Sequence, residues 1–246
     1  MNIGLIGYGK MGKMIHRLAE KEGHKVTFIQ DPQEKDLARQ DRNVTDVYID
    51  FSTGDAVREN ILMACREKKP LVIGSTGWEW DKALIDAVEK SGICLVSDSN
   101  FSPGMYLFRC IVEEAASLIS LFDTYDVAGV EMHHKEKADV PSGTARVLSE
   151  IIIKNFLGKK NAEFYPKNEK RSDDSFHFAS LRCGRIPGIH TLLFDSEEDT
   201  IELTHQTRTR EGFARGALLA AEWTRQENGI RSFKDVMESL MRKEIE

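Results

Sequence analysis

The segment Glu131-Met132-His133-His134-Lys135-Glu136-Lys137-Ala138-Asp139-Val140-Pro141-Ser142-Gly143-Thr144-Ala145 gathers the side chains best able to do chemistry. Pro141 ends an extended piece, Ser142 is a good N-cap, and Gly143-Thr144-Ala145 would open a helix. A helix start offers unpaired N–H groups and the positive end of a dipole. With the Ser142 and Thr144 hydroxyls it forms a substrate-binding end suited to a carboxylate. His133, His134 and Lys137 add donors and positive charge. A histidine titrates near neutral pH, and a lysine can supply a proton or hold an anion. The combination suits an anionic substrate that must also receive a proton. Neighbouring side chains on a strand point to opposite faces, so both histidines reach one ligand only where the strand ends or bends. A solvated loop beside an ordinary helix cap would explain any one of these residues, but not all of them together. No metal site is assigned. The histidine pair has no evident third ligand nearby, and Lys135 and Lys137 would repel a cation. His16, His24, His177 and His190 read as isolated structural or surface residues.

A second constellation stands at the other end of the chain. Gly7-Tyr8-Gly9-Lys10-Met11-Gly12 follows the short apolar run Ile3-Gly4-Leu5-Ile6. Met11, Met14, Ile15 and Leu18 then recur at helical spacing, and Gly23 is a helix stop. Val26-Thr27-Phe28-Ile29 is a second strand, ending at Gln30-Asp31. Gly7 allows a tight turn, Gly9 lets backbone approach a pyrophosphate, and Gly12 permits close helix packing. Asp31, 19 residues past Gly12, is placed to hold a ribose hydroxyl, although Pro32 also makes it a good turn residue. Strand, glycine turn, helix, strand and acid in this order point to dinucleotide binding.

The elements that must hold these groups follow from pattern. Val47–Phe51, Leu71–Ile73 and Ile93–Val96 are short apolar runs of the kind found in buried parallel strands. Helical stretches, Ala56–Glu67 and Trp80–Lys90, lie between them, so a doubly wound sheet is expected. Ligands in such sheets sit beyond the carboxyl ends of the strands. The loops there are Ser52-Thr53-Gly54, Gly74-Ser75-Thr76-Gly77 and Asp98-Ser99-Asn100-Phe101. After Phe101 the rhythm changes to Val127–Met132, Phe176–Arg182, Ile189–Phe194 and Thr200–His205. These are consecutive strands of an antiparallel or mixed sheet, covered by a helix over Thr144–Asn155. Lys159–Asp174 reads as an exposed loop, and Arg210–Trp223 and Phe233–Met241 as amphipathic helices. The expected fold class is α/β. A Rossmann-type dinucleotide-binding domain comprises residues 1–102 and 211–246. Residues 103–210 form an α+β substrate-binding and oligomerisation domain with a mixed sheet.

Composition sets the outer bounds. The 246 residues, 41% hydrophobic, can hold one large domain or two modest ones. A net charge of −6 argues against a general nucleic-acid partner, which needs a basic field. Cys65, Cys94, Cys110 and Cys183 form no C-x-x-C pair and read as buried free thiols. The strand-like start leaves no room for a signal peptide, and no apolar run reaches membrane-spanning length. The expectation is a cytoplasmic enzyme with no membrane partner.

These segments resemble the 4-hydroxy-tetrahydrodipicolinate (dihydrodipicolinate) reductase family of diaminopimelate and lysine biosynthesis. The family hallmark E-x-H-H-x-x-K-x-D-A-P-S-G-T-A is matched from Glu131 to Ala145, with Val140 in place of the usual alanine. Asp46–Ser52, Val72–Gly77, Asn100–Ser102, Arg182–His190 and Arg210–Ala214 match further family segments in order. The resemblance implies hydride transfer from NADH or NADPH to the ring of the dicarboxylate substrate. It makes His133 the proton donor or acceptor and Lys137 the proton donor. It assigns His134, Gly143 and Thr144 to the substrate. Gly7, Tyr8, Gly9, Lys10, Met11, Gly12, Gly74, Ser75, Thr76, Asp98, Ser99, Asn100 and Phe101 go to the cofactor, with Arg210 and Phe213 closing its pocket. It also implies a homotetramer built through the sheets of the substrate domain. The chain departs from the family where Pro32 follows Asp31, leaving no adjacent cation for a 2′-phosphate. It departs again where Pro103-Gly104-Met105-Tyr106 follows Asn-Phe-Ser.

Two other readings remain open at this level. Another two-domain nicotinamide dehydrogenase would share the first half but has no need of the 133–145 constellation. A nucleotide-sensing protein without activity would keep the glycine turn and could lose Lys137, which this chain retains.

Overall fold

The structure, a computed structural model, describes residues 1–31, 41–165 and 169–243. Pro32 lies outside the described residues, as do Lys35 and Arg39, the nearby cations in sequence that could reach a 2′-phosphate. The chain forms two compact units. One comprises Met1–Pro103 with the residues from Arg210 onward, the other Gly104–Thr209.

The first unit is built on a six-stranded sheet. In chain order its elements are β1 (Asn2–Ile6), α1 (Lys10–Lys21), β2 (Lys25–Gln30), β3 (Val47–Asp50), α2 (Gly54–Glu67), β4 (Leu71–Ile73), α3 (Lys82–Ser91) and β5 (Cys94–Ser97). Every residue of β3 and β4 is buried, as a strand covered on both faces requires. After the excursion through the second unit the chain returns as a helix over Glu211–Thr224, a strand over Gly229–Arg231 and a helix over Phe233–Lys243. The returning strand pairs with β5, and every pairing in the sheet is parallel. The chain runs outward from β1 to β2, then crosses back to β3 on the other side of β1. This reversal of direction is where an open α/β sheet forms its ligand crevice. The strand 229–231 had no counterpart in the sequence reading: it is three residues long and starts on a glycine.

The second unit starts with α4 (Pro103–Ile119), whose first residue belongs to the first unit. It continues through β6 (Asp126–His133), α5 (Gly143–Asn155), β7 (Asn161–Glu163), β8 (Ser175–Arg182), β9 (Ile189–Asp195) and β10 (Thr200–Gln206). The later elements are therefore α6 (Glu211–Thr224), β11 (Gly229–Arg231) and α7 (Phe233–Lys243). The second sheet runs β10-β9-β6-β8-β7 and is mixed. β6 pairs antiparallel with β9 and parallel with β8. Burial alternates along β6, so Val127, Gly129, Glu131 and His133 share the inner face. Phe176, Phe178, Leu192 and Phe194 extend that face. Met105, Phe108, Val112 and Ala116 from α4 and Leu148 and Ile152 from α5 cover it.

Three expectations need correction. The seventeen-residue α4 was not foreseen, because Pro103-Gly104 reads as a turn although Met105, Phe108, Val112 and Ala116 keep helical spacing. The stretch 159–174, expected as a loop, contains β7, a polar strand at the sheet edge. Of the four cysteines only Cys94 is buried. Cys65 is half-buried, and Cys110 and Cys183 are exposed. Cys110 lies on the outer side of α4, and Cys183 in the turn after β8.

Candidate active site

β6 ends at His133, and the chain turns at once, with the Lys137 N–H donating to the His134 carbonyl at 3.1 Å. The strand thus ends where the two histidines need it to. His133 is buried and His134 half-buried. Lys137 is half-buried, its ammonium 2.7 Å from Asp139 Oδ1. Ser142 caps α5, its Oγ accepting from the Ala145 N–H at 3.1 Å. The Ser142 carbonyl takes the Arg146 N–H. The amides of Gly143 and Thr144 are left as the open donors of the helix start. Gly143 is exposed and a side chain there would meet nothing within 4 Å, so an anion can approach. Ser142 itself is 2% exposed. Its hydroxyl, expected at the substrate, is engaged as the cap of α5.

A buried carboxylate joins these parts. Glu131 is 0% exposed. Its Oε1 accepts from the Ser142 N–H (2.9 Å), the Ser180 hydroxyl (2.7 Å) and Nη2 of Arg182 (3.1 Å). Its Oε2 lies 3.2 Å from Nδ1 of His133 and 3.6 Å from Nε2 of His190. These are ion-pair distances; the ring N–H of His133 is not aimed squarely at the oxygen, so neither atom has a fully aligned hydrogen bond. Burial alone would raise the Glu131 pKa. Interactions with His133, His190 and Ser142 outweigh it and hold the carboxyl far below the usual carboxylate range. Burial lowers the pKa of His190, with Glu131 offsetting part of the effect. Arg182 reaches onward from this cluster, donating to the carbonyls of Lys137 (3.3 Å) and Asp139 (2.5 Å).

Sequence reasoning treated His190 as isolated and passed over Glu131 and Arg182. The link is the register: Glu131 stands opposite His190 across the β6–β9 ladder, and His133 opposite Arg182 across β6–β8. These separations are invisible until strand order is known. Donor atoms of Glu131, His133 and His190 lie within 4.8 Å of one another. The histidine pair expected to lack a third ligand therefore has two close partners for His133. Arg182 already neutralises the carboxylate, so the group reads as an acid–base cluster.

In the first unit a cavity of about 340 Å³ is lined by Gly9, Lys10, Met11, Phe51, Ser52, Gly74, Ser75 and Thr76. Gly7 adopts φ +84°, and a side chain there would stand 2.5 Å from the Phe51 carbonyl oxygen. A Cβ on Gly12 would come within 2.2 Å of the Gly7 carbonyl oxygen, so its close approach is to the turn rather than the sheet. Gly9 faces open space, as a backbone meant to receive a pyrophosphate must. The residues present therefore fit a dinucleotide. Asp31 Oδ2 accepts the Tyr8 N–H at 2.6 Å, fixing the turn to the end of β2. Buried Asp50 accepts from the Ser52 N–H and hydroxyl, the Asn60 amide and the Ser75 hydroxyl, drawing two cavity loops together. The Ser75 hydroxyl is thereby engaged. After β5, Asp98 accepts the Asn100 N–H and Asn100 Oδ1 accepts the Ser102 N–H. Ser99 is exposed between them. The Phe101 side chain, expected at the cofactor, is 1% exposed and packs against Phe51 and Phe233. Only its backbone can face a ligand. Arg210, exposed, is the N-cap of α6, and Phe213 is half-buried in its first turn.

The parallel sheet with its glycine turn, and the mixed sheet with its histidine–carboxylate cluster, are those of a two-unit Rossmann-type oxidoreductase. The comparisons narrow this. Residues 1–101 match the model for the N-terminus of dihydrodipicolinate reductase, and residues 104–237 the model for its C-terminus. The chain belongs to the dihydrodipicolinate reductase family. It is 34% identical to the 4-hydroxy-tetrahydrodipicolinate reductase of Christiangramia forsetii, over 98% of this chain and 100% of that one. It is 37% identical to that of Zymomonas mobilis, over 96% and 97%. Its fold is like that of a dipicolinate-bound dihydrodipicolinate reductase from Paenisporosarcina sp. TG-14, with TM-score 0.75 and 21% identity over 94% and 97% of the two chains. A probable dehydrogenase from Thermotoga maritima shares the fold more loosely, with TM-score 0.55 and 12% identity over 98% and 93%. Among the described residues no helix is long and apolar enough to cross a membrane.

Proposed function

We propose that this chain reduces 4-hydroxy-tetrahydrodipicolinate to tetrahydrodipicolinate in diaminopimelate and lysine biosynthesis, using NADH or NADPH, with the ring hydroxyl leaving as water. The observation that carries this reading is the folded Glu131–Ala145 segment. One buried carboxylate ties His133 to the helix start bearing Gly143 and Thr144, and a single arginine ties it to the turn bearing Lys137.

The nicotinamide supplies a hydride when bound. The chain's own groups do the rest. The open amides of Gly143 and Thr144, with the Thr144 hydroxyl and His134, hold a substrate carboxylate at the positive end of α5. Nδ1 of His133 faces Glu131, so Nε2 is the nitrogen that exchanges a proton with the substrate. The Lys137 ammonium, neutralised at rest by Asp139, donates the proton that accompanies the hydride. Gly7–Gly12, Asp31, Gly74–Thr76, Asp98–Phe101, Arg210 and Phe213 hold the cofactor. The test is a coupled assay. The substrate is generated enzymatically from pyruvate and aspartate semialdehyde, and nicotinamide absorbance is followed on adding the protein. Turnover no greater than that of His133→Gln would end this reading.

For the cofactor, the carboxylate of Asp31 at the end of β2 favours a free ribose hydroxyl and repels a 2′-phosphate. NADH is therefore expected to serve at least as well as NADPH. The check is kcat/KM for both at one ionic strength, since phosphate recognition is screened by salt. A preference for NADPH of tenfold or more, about 1.4 kcal/mol, would show that a cation governs the pocket.

A further inference from the structure

We propose that Glu131 is the positioning residue of this site, a single buried carboxylate that pins His133 directly and the Lys137 turn through Arg182. The inference rests on the reading of His133 and Lys137 as the proton-handling pair. Each oxygen has a different task. Oε1 is filled by three donors from two elements: the cap of α5, and Ser180 and Arg182 of β8. Oε2 receives no such donor and is directed at two imidazoles. A fully buried carboxylate that served only to stitch strands together would not leave one oxygen to histidine rings.

The consequence for His133 is a tautomer. A carboxylate facing Nδ1 keeps the proton of the neutral ring there, and Nε2 carries the lone pair. The same carboxylate stabilises the imidazolium once Nε2 has taken a proton. The consequence for Lys137 is placement. Arg182 holds the carbonyls of Lys137 and Asp139, on either side of Ala138, while its charge is balanced by Glu131. The charged and titratable groups facing the cluster are Arg182 from β8, His190 from β9, the Lys137–Asp139 pair from the turn and, beyond His190, His205 from β10. Among the described residues, the cap of α5 contributes the uncharged Ser142.

The experiment uses the full-length protein. Imidazole ¹⁵N NMR of the unmodified chain should find neutral His133 protonated on Nδ1. Glu131→Gln keeps the shape and removes the charge. It should lower kcat about a hundredfold, leave the Kd for NADH unchanged, and free the neutral His133 ring from the single Nδ1-protonated tautomer. Arg182→Lys keeps a charge but loses the fork. It should lower kcat while leaving neutral His133 protonated on Nδ1. Neutral His133 protonated on Nε2 overturns the proposal. So does a Glu131→Gln variant with ordinary kcat and an unchanged His133 tautomer while His133→Gln has lost turnover; the site reading then stands. Ordinary turnover in His133→Gln overturns the site reading itself. Should Glu131→Gln fail to fold, the tautomer in the unmodified protein decides.

Discussion

His133 and Lys137 are held in different ways: one ring nitrogen by a buried carboxylate, one ammonium by a half-exposed aspartate. Both lie in the second unit, whereas the cavity assigned to the cofactor lies in the first. His133→Gln and Lys137→Ala are therefore expected to lower kcat by about a hundredfold or more each. The Kd for NADH, read by fluorescence titration, should stay within twofold (roughly 0.4 kcal/mol). Ordinary turnover in both variants would refute the assignment. Histidines also set a pH dependence of stability. Burial lowers the pKa of His190, and likewise that of His205, which also feels His190. An unfolded ring titrates near pH ~6.5. Above that value both states are neutral and the full contribution is present. As the pH falls below it the unfolded chain takes up protons that the folded chain refuses, and stability is lost down through the lowered folded values. Glu131, also lowered, adds a second loss below roughly pH 4.3, where unfolded carboxyls protonate. The free energy of unfolding by urea should fall between pH 7 and 5, and His205→Asn should flatten that slope. A slope equal in the variant would remove His205 from the account. Of these residues, the sequence marked His133 and Lys137 through their company with a helix start. His190 and Glu131 were not marked as functional, because their meeting depends on which strands pair.

At the scale of elements, local pattern was a good guide where a local rule decides the outcome. The glycine turn, Gly23 after α1 and Ser142 before α5 each act within a few residues, and all are found where the pattern put them. β7 and β11 are strands because a neighbour supplies hydrogen bonds, not because their residues favour extension. α6 gives a direct test of such non-local packing. A Cβ on Gly216 would lie 1.7 Å from the Phe101 carbonyl oxygen, at the base of the loop after β5. A Cβ on Gly212, one turn earlier, would meet only Ser102 Oγ at 3.9 Å. Gly216→Ala is expected to destabilise by about 1–3 kcal/mol as overpacking. It should also weaken NADH binding by displacing that loop. Gly212→Ala should stabilise by about 0.4–1 kcal/mol through the unfolded chain. Thermal and urea unfolding of the two variants would settle it. Equal behaviour would mean that α6 is not seated against Phe101.

For the molecule as a whole, the second sheet poses the remaining question of assembly. α4 and α5 cover the face bearing Val127, Phe178 and Leu192. By strand alternation the opposite face carries Ala128, Val130 and Met132 on β6, Ala179 and Leu181 on β8, and Leu193 on β9. None of these six is buried, and Leu181 is 51% exposed. A contiguous apolar face on a regular sheet suits isologous pairing with a second copy, residue against residue across a two-fold axis. Such pairing would give the homo-oligomer that the family resemblance implies, a tetramer if the pairing is doubled. The net charge of −6 opposes it at long range. That repulsion is screened beyond a Debye length of roughly 8 Å at physiological salt. Association should therefore strengthen as salt is raised, the reverse of an interface held by ion pairs. Leu181→Asp places a charge in the middle of the face and should shift the light-scattering mass toward the monomer. Gly212→Ala, whose α6 lies in the other unit, should leave the mass unchanged. A monomeric mass for the unmodified chain at every salt concentration would mean that this face is not an interface between copies. Assembly that weakens as salt rises would mean that charge, not the apolar face, holds the copies together.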